Sequence, residues 1–251
     1  MKVKTIASLV ILAGWMLALV TGCRTGSQPA TLTSVPSPPA TETYAPVINP
    51  ADFVSGVDNP YFPLKPGATL VYEGKTEKGN EHNEVAVLPE TKVILGVTCV
   101  VVSDTVTVDG TLEEATIDWY AQDEQGNVWY FGEDSKEYEN GKVVSTQGSW
   151  EAGVNGAQPG IVMEAHPAVG DTYRQEYYKG EAEDMAQVLN LTESATVPYG
   201  SYTDLVMTKD WSALETGNAE HKYYARGIGF ILTQAVEGVG GQLSLVAIRQ
   251  Q

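Results

Sequence analysis

The sequence is poor in cysteine, histidine and positive charge. Its 251 residues hold 2 Cys, 3 His and 15 Lys plus Arg against 32 Asp plus Glu, for a formal net charge of −17. Two cysteines exclude a disulfide scaffold and any zinc site built from four thiolates. The charge balance argues against a nucleic-acid binder, because phosphate recognition needs a clustered positive field. His82, His166 and His221 stand in no His-x-x-x-His pairing, so no transition-metal motif is present. A Gly-x-Ser-x-Gly elbow is missing, and Gly238-Val-Gly-Gly241 lacks the lysine and the strand-to-helix setting of a phosphate loop. Helix-period patterning is scarce too: residues 181–191 alone fit a short helix, and they fit a strand equally well.

What is present begins at the N-terminus. Lys2 and Lys4 form a charged start, and residues 6–20 form an apolar stretch too short to span a bilayer comfortably, which takes about 20 residues. It ends in Leu19-Val20-Thr21-Gly22-Cys23, which resembles the lipobox of bacterial lipoproteins. The resemblance implies a signal peptide over residues 1–22, cleavage before Cys23, and a diacylglyceryl thioether plus an N-acyl chain such as palmitate on that cysteine. More than one acyl chain gives stable membrane attachment, placing the body at the cell membrane or outer membrane, facing periplasm or exterior. Cleavage removes two lysines and no acid, so the mature chain is more acidic still. Residues 23–50 then read as a tether: they contain six of the 13 prolines, separated by Ser, Thr and Ala. Such sequence stays extended because it buries too little surface to offset its ordering entropy.

From Phe53 onward the chain alternates strands and turns. Residues 91–108 are rich in β-branched side chains, Asp109-Gly110 and Asn140-Gly141 are two-residue hairpin signals, and Gln125-Gly126-Asn127 turns into Val128-Trp129-Tyr130-Phe131. The sequence predicts a mainly β protein of antiparallel curved sheets with little helix, arranged as a sandwich or split barrel. Two segments recur at an offset of 104: Gly96 matches Gly200, and Trp119-Tyr120-Ala121 matches Tyr223-Tyr224-Ala225. Pro63-Leu-Lys-Pro-Gly67 and Pro167-Ala-Val-Gly170 each open an aromatic strand. Two related halves follow, 51–160 with a Gly-rich connecting loop from 148, and 161–251. The stretch from Asn59-Pro60-Tyr61-Phe62-Pro63-Leu64 to Phe230 resembles an uncharacterised family of bacterial secreted proteins and lipoproteins. The hairpin Tyr223-Tyr224-Ala225-Arg226-Gly227-Ile228-Gly229-Phe230-Ile231 resembles that of LolA-like half-barrels. Neither resemblance implies an activity.

Acidic residues gather at Glu176, Glu181, Glu183 and Asp184, and again at Asp118, Asp123, Glu124, Glu133 and Asp134. Residues 123–134 fail as an EF-hand, because Val128 stands where the turn needs glycine and Asp134 replaces the closing Glu. A solvated acidic surface accounts for most of these carboxylates. Glu164 and His166 share a strand face at i, i+2 and, with Glu183, Asp184 and His221, are the candidate ligands of a divalent cation. Cys99, amid valines, reads as a small buried hydrophobe. No residue stands out as catalytic. Adjacent aromatics such as Trp129-Tyr130 and Tyr177-Tyr178 must place one ring on each sheet face, so Trp119, Trp129, Trp150, Tyr178 and Tyr223 are candidates to line a ligand pocket, or simply to pack. The expected function is a lipid-anchored extracytoplasmic binding or carrier protein for a small molecule, apolar ligand or cation, held to the membrane through Cys23. A metal- or carboxylate-dependent hydrolase and a structural envelope lipoprotein stay open as alternatives.

Overall fold

Alternating β-branched sequence broken by Gly-containing turns folds as antiparallel strands throughout the described residues. The computed structural model describes residues 44–76, 78–238 and 240–250; the signal, Cys23 and most of the tether lie outside them. The strands are β1 (Phe53–Val54), β2 (Ala68–Thr76), β3 (Gly79–Ile94), β4 (Val97–Val108), β5 (Thr111–Asp123), β6 (Val128–Glu139), β7 (Lys142–Ser145) and β8 (Trp150–Glu151). There follow β9 (Gln158–Met163), β10 (Thr172–Arg174), β11 (Glu176–Tyr177), β12 (Asp184–Val197), β13 (Gly200–Ser212), β14 (Ala219–Ala225), β15 (Gly229–Glu237) and β16 (Gln242–Gln250). Among the described residues the helical content is one 3-10 turn, Pro50–Asp52. Residues 181–191, open between helix and strand, enter β12. The hairpin signals form as expected: Asp109 and Gly110 have φ of +47° and +79°, and Asn140 and Gly141 +53° and +72°, the left-handed pair that a type I′ turn requires.

All sixteen strands belong to one sheet: thirteen follow the order β10-β12-β13-β14-β15-β16-β2-β3-β4-β5-β6-β9-β11, while β1 pairs with β5 and β7 and β8 pair with β6. Its two ends are consecutive in the chain. Residues 172–174 pair with β12 (Tyr173 opposite Ala186), and residues 176–177 pair with β9 (Glu176 opposite Pro159). One short segment therefore joins both edges and nearly closes a barrel, which leaves few unpaired backbone groups. Gly160 makes the closure sterically feasible, since a Cβ there would collide with the backbone of Gln175. The Gly-rich stretch from 148, expected as a connecting loop, carries β8 and the start of β9, both paired to β6. Residues 44–57 cover part of the outer face: Phe53 packs edge-on to Phe131 at 5.5 Å, and Tyr44 packs on Tyr177 at 5.7 Å with its hydroxyl donating to Pro159 O.

Period-2 alternation decides what faces the interior. On β6, Tyr130 and Phe131 are both fully buried, one inside the barrel and one beneath the N-terminal segment, while Trp129 between β6 neighbours is half-buried. Fully burying such a ring stabilises by about 1.5–3 kcal/mol. The interior is not uniformly apolar, however. Glu81 and Asn83 on β3, Asp104 on β4, Glu114, Thr116 and Asp118 on β5, and Glu220 and Lys222 on β14 are all buried at alternate positions. The solvated-surface expectation is thus corrected for Asp118, Asp123, Glu133, Glu176 and Asp184, which are buried; it holds for Glu124, which is exposed.

Candidate functional site: an aromatic cleft with a carboxylate floor

The cleft is built where the meander β2-β3-β4-β5 meets two turns. Leu70 and Tyr72 come from β2, Val85 from β3, Val102 and Asp104 from β4, and Asp118 and Tyr120 from β5. Phe62-Pro63-Leu64, just before β2, and Ile228-Gly229-Phe230, at the β14–β15 turn, form the mouth. The cavity has a volume of about 80 Å³. Register sets the floor: Leu70 lies opposite Val85, Val85 opposite Asp104, and Val102 opposite Asp118, so the two carboxylates are diagonal neighbours on adjacent strands.

The walls are held by ring contacts. Phe62 lies 5.4 Å from Tyr120, Tyr72 lies 5.2 Å from Phe230, and Tyr120 stacks on Tyr130 at 4.8 Å. Tyr72 donates its hydroxyl to Phe230 O at 3.1 Å, and Tyr130 donates to Asp118 Oδ1 at 2.5 Å. Burial holds the phenols of Tyr72, Tyr120 and Tyr130 well above their ordinary values, with nearby carboxylates adding to it. They are donors at all physiological pH.

Beneath the floor the carboxylates continue. Asp104 is fully buried and accepts from Asn83 Nδ2 at 2.6 Å. Burial raises its pKa well above the carboxylate range, and Glu114, Glu81 and Glu133 raise it further. Glu81 is pushed up to about 7, by burial first and then by Glu114 and Glu220. Glu114 is raised by burial, against the hydrogen bonds it accepts from Thr116 (3.0 Å) and Ser135. Asn83 Oδ1 and Glu81 Oε1, both buried, meet no hydrogen-bond donor among the described residues. On the far side, Lys222 contacts Glu220 Oε1 at 3.0 Å and Asp210 Oδ2 at 3.2 Å. Burial works against its charge, but Glu220 and Asp210 outweigh burial and hold it well above its ordinary value.

The residues singled out from sequence lie elsewhere. Trp119 is buried under Lys92, whose Nζ sits 3.3 Å from the ring centroid. Trp129 donates to Asp123 Oδ2 at 2.9 Å, Trp150 to Glu176 Oε2 at 2.8 Å, and Tyr223 OH to Gln234 at 3.2 Å. Tyr178 closes a tight turn through its backbone bond with Ala182. None of the five lines the cleft. Tyr120, next to Trp119, does; which member of an adjacent aromatic pair faces inward is fixed by register, and register is not written in the pair itself.

The candidate cation ligands are not brought together. His166 is exposed, Asp184 is buried, and Glu183 accepts from Gly180 N at 2.8 Å. His221 lies between Lys209 and Gln234 on the neighbouring strands, and burial followed by Lys209 lowers its pKa. Glu164 faces Asp171 instead, and burial together with that carboxylate pushes it up to about 7. Among the described residues no group of three or more His, Cys, Asp and Glu is placed to hold a metal ion. Cys99 is fully buried with its thiol pushed up to about 12, chiefly by burial. No helix among the described residues is long and apolar enough to cross a membrane.

No known family's sequence pattern matches the chain, and no curated protein matches it. Two solved structures align with it. A protein of Bacteroides fragilis NCTC 9343, inferred to be exported and given a YmcC-like fold, aligns with a TM-score of 0.45 at 16% identity, over 76% of this chain and 99% of its own. A protein of Parabacteroides distasonis ATCC 8503, inferred to be a lipoprotein, aligns with a TM-score of 0.41 at 14% identity, over 75% and 98%. Likenesses this distant carry nothing about family or activity.

Proposed function

We propose that this chain is a lipid-anchored, extracytoplasmic binding or carrier protein that takes a small ligand into the cleft between Phe62, Tyr72, Tyr120 and Phe230. The observation that carries this is the cleft's make-up: an apolar, aromatic wall held by ring contacts, with two acidic side chains converging at its floor. Ligand sites combine such a wall with a few placed polar groups that fix orientation. Anchoring rests on Leu19-Val20-Thr21-Gly22-Cys23, where lipid on Cys23 and a proline-rich spacer would hold the body off an anionic surface that repels its charge.

Two measurements test it. A native mass spectrum of the full-length protein, set against its denatured mass, should show a discrete small-molecule excess that Phe230→Ala or Tyr120→Ala reduces. Bare-chain mass in every preparation would count against a tight-binding carrier. Metabolic labelling with palmitate should mark the wild type and not Cys23→Ala; equal labelling of both would remove the anchor.

A further inference from the structure

We propose that the ligand of this cleft is an organic cation with an apolar arm, its ammonium seated on Asp104 and Asp118 and its arm lying against Phe62, Leu70 and Phe230. This rests on the binding role proposed above and adds the ligand's charge. Three observations carry it.

The first is the imbalance of buried charge. Lys222 is the one buried cationic side chain among the described residues, and it is engaged by Glu220 and Asp210 on the β13–β14 side. The carboxyl groups around Asp104, namely Glu81, Glu114 and Glu133, act on it as further negative charge, and the Lys78 ammonium that acts on Glu81 and Glu114 lies on the exposed side. Burying like charges together is costly unless they are neutralised. The second is an unmet acceptor. Asn83 is fully buried, its Nδ2 is spent on Asp104, and its Oδ1 meets no donor. Asn83 stands behind the lining, so this oxygen marks the buried polar layer that Asp104 joins to the cleft. The third is the wall. Aromatic faces attract cations, and the apolar lining suits carbon rather than a hydrated ion. A bare metal ion is the poorer fit, because hard cations take six to eight oxygen ligands and no such group is assembled among the described residues.

A cavity of about 80 Å³ admits an ammonium, about the size of a water molecule, with a short chain. The site should therefore prefer an amine over its neutral isostere.

The test uses full-length protein in detergent, with protein-free detergent as reference, and calorimetric titration at pH 7.5 with n-hexylamine, n-hexanol, n-hexanoate and CaCl₂. Hexylamine should bind at least about tenfold more tightly than hexanol, and hexanoate least. Asp104→Asn should cut the amine's advantage to within about twofold while leaving hexanol binding intact. Asp118→Asn serves the same purpose if Asp104→Asn does not fold. Equal binding of hexylamine and hexanol would overturn the cationic ligand and leave the apolar cleft standing. Binding of none of the four would overturn both proposals. Calcium binding without amine binding, or tightest binding of hexanoate, would overturn the organic cation.

Discussion

On the β13–β14 side of the barrel, Asp210 and Glu220 flank the Lys222 ammonium, and Thr208 and Thr233 donate hydroxyls to the same two carboxylates. On the β3–β4–β5 side, Glu81, Asp104 and Glu114 receive comparable neutral support from Asn83 and Thr116, with the nearby ammonium, Lys78, on the surface. The two regions share one interior closely enough for Glu220 to act on Glu81. One side is thus an internal ion-pair network. On the other, burial disfavours the charged form of each carboxyl, and Asp104 alone of the three lines the cleft. Buried carboxyls of the same type acquire opposite roles from a single neighbouring lysine. At the sequence offset of 104, Lys222 falls on Asp118 and Tyr224 on Tyr120.

The comparison breaks most severely at Lys222. Lys222→Met leaves Asp210 and Glu220 buried without their ammonium, a loss of about 3–5 kcal/mol. Urea unfolding should show that loss at pH 8 and a smaller one at pH 5, where Glu220, raised by burial, more readily takes up a proton. An unchanged midpoint at pH 8 would mean the network contributes nothing.

Next comes the pH dependence of the uncompensated side. Glu81 titrates at about 7 in the folded protein against an ordinary 4.5. As pH rises from about 4.5, the unfolded chain gives up this proton before the folded one does. Stability from Glu81 is therefore complete below 4.5, falls through the window and is gone above about 7, a change on the order of 3 kcal/mol. Glu164, also raised to about 7, works in the same direction. Thermal unfolding between pH 5 and 8 should show a declining melting temperature that Glu81→Gln flattens. An identical decline in the variant would place the dependence elsewhere.

Asp104→Asn should act with the opposite sign to Lys222→Met. It removes a group whose charged form burial disfavours, so stability at pH 8 should rise, by up to about 1 kcal/mol, and rise less at pH 5. A loss at both pH values would show that Asp104 is compensated after all. The smallest effect belongs to the surface. Arg249→Ala breaks the exposed pair with Glu84 (2.8 Å) and should cost less than about 0.5 kcal/mol by chemical denaturation. A cost above 1 kcal/mol would mean that surface pairs matter as much as the interior.

Much of the fold was legible because local signals sufficed. β-branched runs, Asp109-Gly110 and Asn140-Gly141 mark antiparallel hairpins without reference to the rest of the chain. Closure through residues 172–177 was not legible, since pairing to both β12 and β9 depends on strands far apart in sequence. The site was less legible still. Glu114-x-Thr116-x-Asp118-x-Tyr120 displays its period of two, but a polar alternation with Ile117 and Trp119 between reads by default as polar face out. Here the polar face is the inner one, and that inversion is what a barrel with a polar interior looks like in sequence. For Cys99 the valine neighbours alone mark a small buried hydrophobe, and it is fully buried.

The most direct measurement is a carbon-detected NMR titration of the Glu81 and Asp104 side-chain carboxyls in the full-length protein, with and without n-hexylamine. Glu81 should titrate near 7, Asp104 should titrate above the ordinary carboxylate range, and hexylamine should shift Asp104 downward. Both carboxyls titrating near 4, unmoved by the amine, would contradict it.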